Sequence, residues 1–303
     1  MRRTCHGIIH SESLKPGDTV TIGIATYGRA RQLASTLHRL LEAEQQAQEI
    51  IVHVDGGDNE TPGMLASRFG SRVAVLVSSD RVGPGGGRNR ILERTATDLL
   101  LSLDDDSWPM DADFLGMAED LMGSRPDAGA IGAVVVLPGD SAPERVAEIQ
   151  ETDCYENCGV MLRTTAMRRA GSYLPLRYAY GMEEADVALR MLDAGWKVYV
   201  SRDLRVFHDT VLQHHVSREV NAAHIANTAL RAFLRYPVSY WPLGLMQTIN
   251  RVRYAASMGR WSGIGSGLLS IPAHCFRYRR YRAPVQPGTL RRARSFPARP
   301  QPS

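Results

Sequence analysis

The sequence has few cysteines, only two lysines, no long apolar run and no acidic residue after Glu219. Its four cysteines are too few and too scattered for a disulfide framework. Cys154 and Cys158 also lack a second ligand pair at the spacing of a zinc site. We therefore expect reduced thiols in a cytoplasmic protein. No stretch of about 18 uncharged apolar residues occurs, so we expect no membrane-spanning helix. The polar residues after Met1 give no secretory signal.

The missing acids leave the charge unevenly distributed. Residues 220–303 carry thirteen arginines and no acid, whereas residues 1–219 carry more acids than bases. Such a split favours a basic module for an anionic surface, either membrane phospholipid or nucleic acid. The alternative is a helical appendage whose arginines pair with carboxylates of the acidic body. Because that body would repel a polyanion, we expect peripheral contact with an anionic membrane and no nucleic acid partner.

Short β-rich runs alternate with helical patterns over the first hundred residues. The predicted strands are Val20–Thr26, Ile50–Val54, Val73–Val77 and Leu99–Leu103, and helical patterns cover Arg29–Gln45, Thr61–Phe69 and Asn89–Thr95. Further strands are predicted at Ala130–Leu137, Val198–Val200 and Leu204–Phe207, and a helix at Glu183–Ala194. This alternation predicts an α/β fold with a doubly wound, mostly parallel sheet.

Composition divides the chain into four parts. Residues 1–18 form an N-terminal leader, and residues 19–215 form the α/β domain. Residues 216–282 form a basic helical extension. Residues 283–303 are rich in proline and arginine and are predicted to be a disordered tail.

Three consecutive aspartates, Asp104, Asp105 and Asp106, directly follow the predicted strand Leu99–Leu103. Ligands of open α/β sheets bind at the carboxyl ends of the strands. Adjacent carboxylates repel one another unless a cation lies between them, and divalent cations bound by carboxylates and phosphate oxygens are a common solution. The trio therefore indicates a metal–phosphate site. The alternative is a surface cluster that caps the next helix.

Other strand ends carry groups that suit a nucleotide. Thr26, Tyr27 and Arg29 follow the first strand and offer a hydroxyl, an aromatic face and a cation. Asp55 follows the second strand. A predicted glycine-rich turn, Gly83–Gly87, follows the third strand and precedes Arg88 and Asn89, whose neighbourhood suits phosphate. Together these groups indicate a nucleotide diphosphate pocket.

A second acidic group begins the helix predicted at Glu183–Ala194. Glu183, Glu184 and Asp186 lie in its first turn, where the helix dipole favours acids. The functional interpretation is that one of these carboxylates faces the pocket as a general base. His208 ends a later strand and offers a nitrogen to the cation.

The order of these motifs resembles that of family-2 glycosyltransferases of the GT-A fold, similar to bacterial rhamnosyl- and galactofuranosyltransferases. The resemblance covers roughly residues 19–236. The matching segments are Ile24–Arg29, Val54–Gly57, Gly83–Asn89, Leu103–Asp106, Glu183–Asp186 and His208.

The resemblance implies a role for each matching position. Glu184 falls at the position of the catalytic base, and Asp104, Asp106 and His208 at those of ligands to Mn²⁺ or Mg²⁺. The donor, a UDP- or dTDP-sugar, would contact Thr26, Tyr27, Arg29, Asp55, Arg88, Asn89, Asp104 and Asp105. Two positions depart from the usual pattern: the base is Glu instead of Asp, and Gly56 replaces a second acid after Asp55.

The implied reaction is a single displacement. The acceptor hydroxyl of a cell-envelope glycan, glycolipid or natural product attacks the anomeric carbon with inversion. One alternative is a nucleotidyltransferase that makes nucleotide sugars, but its glycine-rich loop would follow the first strand with a nearby lysine. A dinucleotide dehydrogenase needs G-x-G-x-x-G at that place, and Ala25–Arg29 lacks it. A non-catalytic sugar-nucleotide-binding module is the third alternative.

Overall fold

The computed structural model describes residues 19–176, 182–210 and 217–297. The predicted leader, residues 1–18, lies outside the described residues. Nine strands form one sheet. They are β1 (Val20–Thr26), β2 (Glu49–Val54), β3 (Ala74–Val77), β4 (Leu99–Asp104), β5 (Ser107–Pro109), β6 (Ala128–Val136), β7 (Ile149–Glu151), β8 (Val160–Arg163) and β9 (Lys197–His208).

Ten α-helices are described around and after this sheet. They are α1 (Ala30–Glu42), α2 (Thr61–Arg68), α3 (Gly83–Arg94), α4 (Phe114–Gly123), α5 (Thr164–Arg169), α6 (Glu183–Asp193), α7 (Arg218–Arg235), α8 (Trp241–Ser257), α9 (Ile264–Tyr278) and α10 (Pro287–Ser295). None of the described helices is long and apolar enough to cross a bilayer.

The sheet has the strand order β3-β2-β1-β4-β8-β6-β9-β5, with β7 beside β9. Its first half is parallel, as the alternation predicts, because α1, α2 and α3 each return the chain to the same edge. In the second half, β8 runs antiparallel between β4 and β6, while β6 and β9 are parallel. The carboxyl ends of β1, β2, β3 and β4 therefore lie along one edge.

The core lies on both faces of this sheet. One cluster joins β1, β2 and β4 to α1 and α4 through residues such as Ile24, Leu37 and Leu101. A second cluster covers the other face with α3, α5 and α6 and includes Ile91 and Val187. The near-continuous apolar sequences of β1 and β4 follow from burial on both faces.

Two elements differ from the local sequence pattern. The glycine-rich segment predicted as a turn forms the start of α3, with a proline in the first turn and the Asp55 carboxylate accepting hydrogen bonds from the N–H groups of Val82 and Gly83. The strands predicted at 198–200 and 204–207 are one strand, β9. Ala133 pairs with Ser201, whereas Val134 pairs with Arg205. The residues of β9 between these two pairs, which include the polar Asp203, therefore form a β-bulge.

The C-terminal region is helical, as predicted. In the segment 283–303, which composition predicts to be disordered, residues 283–297 are described and include helix α10, whereas residues 298–303 lie outside the described residues. Helix α10 buries Leu290 and Ala293 against Leu189 and Leu192 of α6. The prediction failed because composition registers the arginines and prolines of this segment but not the apolar residues that are spaced along one face of its helix.

Candidate active site

The three aspartates lie where β4 ends and β5 begins. Asp104 is the last residue of β4, and its N–H donates a hydrogen bond to Ser107 Oγ at 2.8 Å. Strand β5 then pairs with β9 so that Ser107 faces His208. This pairing brings His208 to the aspartates from 102 or more residues away in the sequence, and it places carboxylates and an imidazole at one point.

Asp106 and His208 form the closest pair of these groups. His208 Nε2 lies 3.1 Å from Asp106 Oδ1 and 3.8 Å from an oxygen of Asp104. The buried Oδ1 of Asp106 accepts no hydrogen bond. Burial lowers the pKa of His208, but the carboxylates of Asp106 and Asp104 outweigh it and raise this pKa above its usual value. An unsatisfied carboxylate oxygen facing an imidazole nitrogen suits a divalent cation such as Mn²⁺.

Cys158 lies beside the same group. Its Sγ and ligand atoms of Asp104 and His208 lie within 4.8 Å of one another. Burial raises the pKa of the thiol well above its usual value, so a protonated, apolar wall faces the carboxylates here.

Arg29 pairs with two of the three aspartates. Its guanidinium pairs with Asp105 at 2.7 Å and with Asp106. Thr26 Oγ1 donates a hydrogen bond to Asp105 Oδ2 at 2.6 Å. Burial raises the pKa of Asp105 to about 7, although Arg29 and Thr26 act to lower it. The sequence-predicted residues Thr26 and Arg29 therefore lie in the site, where they orient Asp105 and Asp106.

Arg88 connects the aspartates to helix α6. This buried guanidinium pairs with Asp104 through Nη2 and with Glu183 through Nη1, the latter at 2.9 Å. Burial alone would lower the pKa of Arg88, but the two carboxylates outweigh it and keep the guanidinium charged. Glycine is needed at position 85, because an added Cβ would lie 2.5 Å from Glu183 Oε1. The Glu183 carboxylate is thus held in place by its ion pair with Arg88.

Glu184 has a different environment from its neighbour. It is half-buried, and among the described residues no other side chain forms a hydrogen bond or an ion pair with its carboxylate. Desolvation, together with the nearby Glu156 carboxylate, raises the pKa of Glu184 to about 7. A carboxylate with such a pKa, and with no side-chain partner among the described residues, is suited to accept a proton near neutral pH.

Asp55 and Tyr27 lie at the carboxyl ends of β2 and β1. Both oxygens of Asp55 accept backbone N–H groups at the start of α3, and Arg81 Nε lies 3.3 Å away. The Arg81 guanidinium stacks 3.5 Å above the half-exposed ring of Tyr27. Gly56 is required here because an added Cβ would lie 2.3 Å from the carbonyl carbon of Asp80. That close approach explains why no second acid follows Asp55.

Asn89 lies close to these groups, but its amide is used within the protein. It donates to the Tyr173 carbonyl and accepts from the Tyr173 N–H, both at 2.8 Å. This pair fixes the segment that leads towards α6. The Tyr173 hydroxyl in turn donates to Asn157, whose amide reaches Glu183.

Four residues that lie at the site were not predicted as site residues from the sequence. Arg81 follows β3 and could have been found by the strand-end rule that identified the other groups. Cys158 and the Asn157–Tyr173 pair carry no local signal, because antiparallel strand β8 and the segment before α6 bring them to the site.

The fold is that of a glycosyltransferase of the GT-A type. The family model described as glycosyl transferase family 2 matches residues 21–179. The chain belongs to this family. A search of curated proteins found no match.

Solved structures similar to this chain are also glycosyltransferases. A mannosyltransferase from Pyrobaculum calidifontis in complex with GDP-Man and Mn²⁺ is 18% identical with a TM-score of 0.58, over 87% of this chain and 82% of that one. S. aureus TarS residues 1–349 with UDP-GlcNAc is 13% identical with a TM-score of 0.54, over 86% and 92%. GalNAc-T7 with UDP, GalNAc and Mn²⁺ is 12% identical with a TM-score of 0.58, over 74% of this chain but only 49% of that one. At these identities the likeness shows the fold.

Proposed function

We propose that this protein is an inverting, metal-dependent glycosyltransferase that moves a sugar from a nucleoside diphosphate donor to an acceptor hydroxyl. The observation that carries the proposal is the bridge of Arg88 between Asp104 and Glu183. It fixes the aspartate–histidine group and the start of α6 together, and the next residue of α6, Glu184, has no side-chain partner among the described residues. Family membership favours this function over the nucleotidyltransferase alternative.

The donor would lie along the carboxyl ends of β1 to β4. The Arg81–Tyr27 stack and Asp55 lie where a nucleobase would enter, with Thr26, Arg29, Arg88, Asn89, Asp104 and Asp105 around the ribose and diphosphate. Among these, Asp55 and Asn89 would act chiefly by shaping the loops, since the protein already occupies their polar atoms. We retain a UDP- or dTDP-sugar as the proposed donor.

Glu184 is the proposed general base. Its carboxylate would take the proton of the acceptor hydroxyl while that oxygen forms a bond to the anomeric carbon, and the bond from this carbon to the diphosphate oxygen breaks. Attack from the face opposite the leaving group inverts the configuration. Glu183, held by Arg88, would keep the first turn of α6 in place.

Asp104, Asp106 and His208 would hold the cation. A bound Mn²⁺ or Mg²⁺ supplies positive charge that stabilises the departing diphosphate. Arg29 orients Asp106 from the side away from His208, and the carboxylate is therefore fixed by protein contacts. The proposal places the reaction in the cytoplasm, with peripheral contact to an anionic membrane at its inner face.

The metal test is donor binding by calorimetry, with and without Mn²⁺, over a panel of nucleotide sugars, followed by release of nucleoside diphosphate. EDTA should abolish release, and Mn²⁺ or Mg²⁺ should restore it. Asp106→Asn should weaken Mn²⁺-dependent donor binding and turnover, whereas Asp120→Asn, an exposed change on α4, should leave both unchanged. Full activity in EDTA would remove the metal from the proposal, and donor binding without any release would support the non-catalytic alternative.

A further inference from the structure

Helices α8 and α9 both pack on α7 through small residues. An added Cβ at Gly244 of α8 would lie 2.3 Å from the Cβ of Ala232, and one at Gly267 of α9 would lie 2.9 Å from the Ala222 carbonyl oxygen. Thr248 and Ala255 continue the buried face of α8. These close contacts fix which face of each helix points away from α7.

The faces that point away are apolar and exposed. Eleven of the fifteen large hydrophobic side chains that are exposed among the described residues lie between Val238 and Phe276. The most exposed are Leu245 (64%) on α8, Trp261 (70%) between the helices, and Leu269 (84%) and Phe276 (65%) on α9. We call these outer faces of α8 and α9, with Trp261, the α8–α9 surface. Exposure of this extent is typical of an interaction site.

The charged residues within α8 and α9 are all basic. Arg253, Arg277, Arg279 and Arg280 are exposed, and no acid follows Glu219. In the described part of residues 220–303, Arg235 and Arg292 are the arginines that pair with a carboxylate of the body. Pairing with the body therefore does not account for the basic charge of α8 and α9. Apolar side chains, tryptophan and unpaired arginines together suit an anionic lipid surface.

The same helices are joined to the start of α6, where Glu184 is proposed to meet the acceptor hydroxyl; we call this the acceptor end of the site. Leu230 and Leu234 of α7 pack with Tyr278 of α9 against Leu174, Leu176 and Met182, the residues that flank the start of α6. Arg235 of α7 pairs with Asp186, two residues after Glu184. A bilayer at the α8–α9 surface would therefore be coupled through packed side chains to the helix that carries Glu184.

We propose that the α8–α9 surface docks on an anionic phospholipid bilayer and holds the acceptor end of the site near the lipid headgroups. The docking itself does not depend on the proposed transferase reaction, whereas the delivery of a lipid-linked acceptor to Glu184 rests on that proposed function. The apolar side chains enter the interface, and the exposed arginines contact the phosphate groups.

Sedimentation of the full chain with phosphatidylglycerol vesicles or with pure phosphatidylcholine vesicles tests this docking. The chain should pellet with the anionic vesicles and much less with the neutral ones, and salt should weaken the binding. The Leu245→Glu/Leu269→Glu variant should bind the anionic vesicles more weakly by a factor of about ten or greater, because it puts carboxylates into the interface. The matched control is Val77→Glu/Val146→Glu, which adds two acids at exposed apolar positions of the body.

The contribution of charge is tested with single changes. Arg280→Gln should lower vesicle binding by about fivefold, while Arg31→Gln, an exposed change on α1, should have no effect. Circular dichroism confirms that each variant is folded, and donor turnover with Mn²⁺ in vesicle-free solution reports the reaction separately. The proposal is overturned if the chain does not pellet with anionic vesicles, or if the Leu245→Glu/Leu269→Glu variant and its control pellet equally. It is also overturned if the chain forms a dimer that the Leu245→Glu/Leu269→Glu variant dissociates.

Discussion

Glu183 and Glu184 are adjacent in sequence but have different surroundings. Glu183 is buried against Arg88 and Asn157, whereas Glu184 is half-buried without a side-chain partner among the described residues. Helical geometry separates neighbouring side chains by about 100°, so that two adjacent residues can have different surroundings. The proposed roles therefore depend on the direction in which each side chain points, which residue type alone does not give.

Replacing Glu184 with Gln should lower turnover by about 10²- to 10⁴-fold, because the amide keeps the size of the side chain but cannot accept the proton. Donor affinity, measured by calorimetry with Mn²⁺, should change little. Glu183→Gln is the informative comparison, since it should weaken the Arg88 contact and lower stability. If Glu183→Gln is inactive and Glu184→Gln is active, the general base is Glu183 instead of Glu184.

The pH profile should report the same carboxylate. Because the pKa of Glu184 is raised to about 7 and the base must be ionised, kcat/KM should fall as the pH drops below about 7. Glu156→Gln removes a negative charge that contributes to this rise, so the acid limb should move to lower pH. An acid limb that is unchanged in Glu156→Gln would assign the limb to another group.

At the scale of elements, the start of α3 shows how a turn-like sequence forms a helix. Four of its first five residues are glycines, which are poor helix formers, yet Gly85 and Gly87 are needed because Glu183 and His53 occupy the space of their missing side chains. The Asp55 carboxylate satisfies N–H groups at the helix start. Tertiary contacts thus override a local preference.

Helix α10 gives the corresponding case for an element predicted as disordered. Leu290 is 2% exposed and packs on α6, so Leu290→Ala should lower the free energy of unfolding by about 2–5 kcal/mol in urea denaturation. Leu269→Ala, at a position that is 84% exposed, should change it by less than about 0.5 kcal/mol. If Leu290→Ala and Leu269→Ala change the free energy of unfolding by equally small amounts, this segment is a disordered tail, as composition predicts.

At the scale of the molecule, one buried ion pair joins the α/β domain to the helical extension. Asp186 of α6 accepts hydrogen bonds from Arg235 Nε at 2.6 Å and from Arg190 Nε at 3.0 Å. Burial would raise the pKa of Asp186, but the two guanidinium groups outweigh it and lower this pKa. The extension is therefore fixed to the helix that carries Glu184.

Arg235→Met should lower the free energy of unfolding by about 3–5 kcal/mol, because it leaves a buried carboxylate with one partner fewer. Arg292→Met, which breaks the more exposed pair with Glu151, should cost no more than about 1 kcal/mol. Urea denaturation of both variants measures the difference. If the two variants lose equal stability, the Arg235 pair does not hold the extension to the body.

The sequence by itself determined the parallel half of the sheet, the family, and the strand ends where polar groups collect. Val20–Thr26 is a strand, as the sequence predicts, and the three aspartates lie at the carboxyl end of β4, with Asp104 as its last residue. These features are local, because a strand that is buried on both faces requires a continuous run of apolar residues in the sequence.

Only the tertiary structure decided which side chains meet. The pairing of β8 with β4 brings the preceding residue Cys158 to Asp104, and the pairing of β9 with β5 brings His208 there. Helix α7 brings Arg235 to Asp186. The tertiary structure also placed Glu183 and Glu184 in different surroundings, and it placed Pro287–Ser295 as α10 against α6. The physical reason is that such contacts join residues far apart in the chain, and the pairing of strands and helices that creates them leaves no periodic signal in either segment alone.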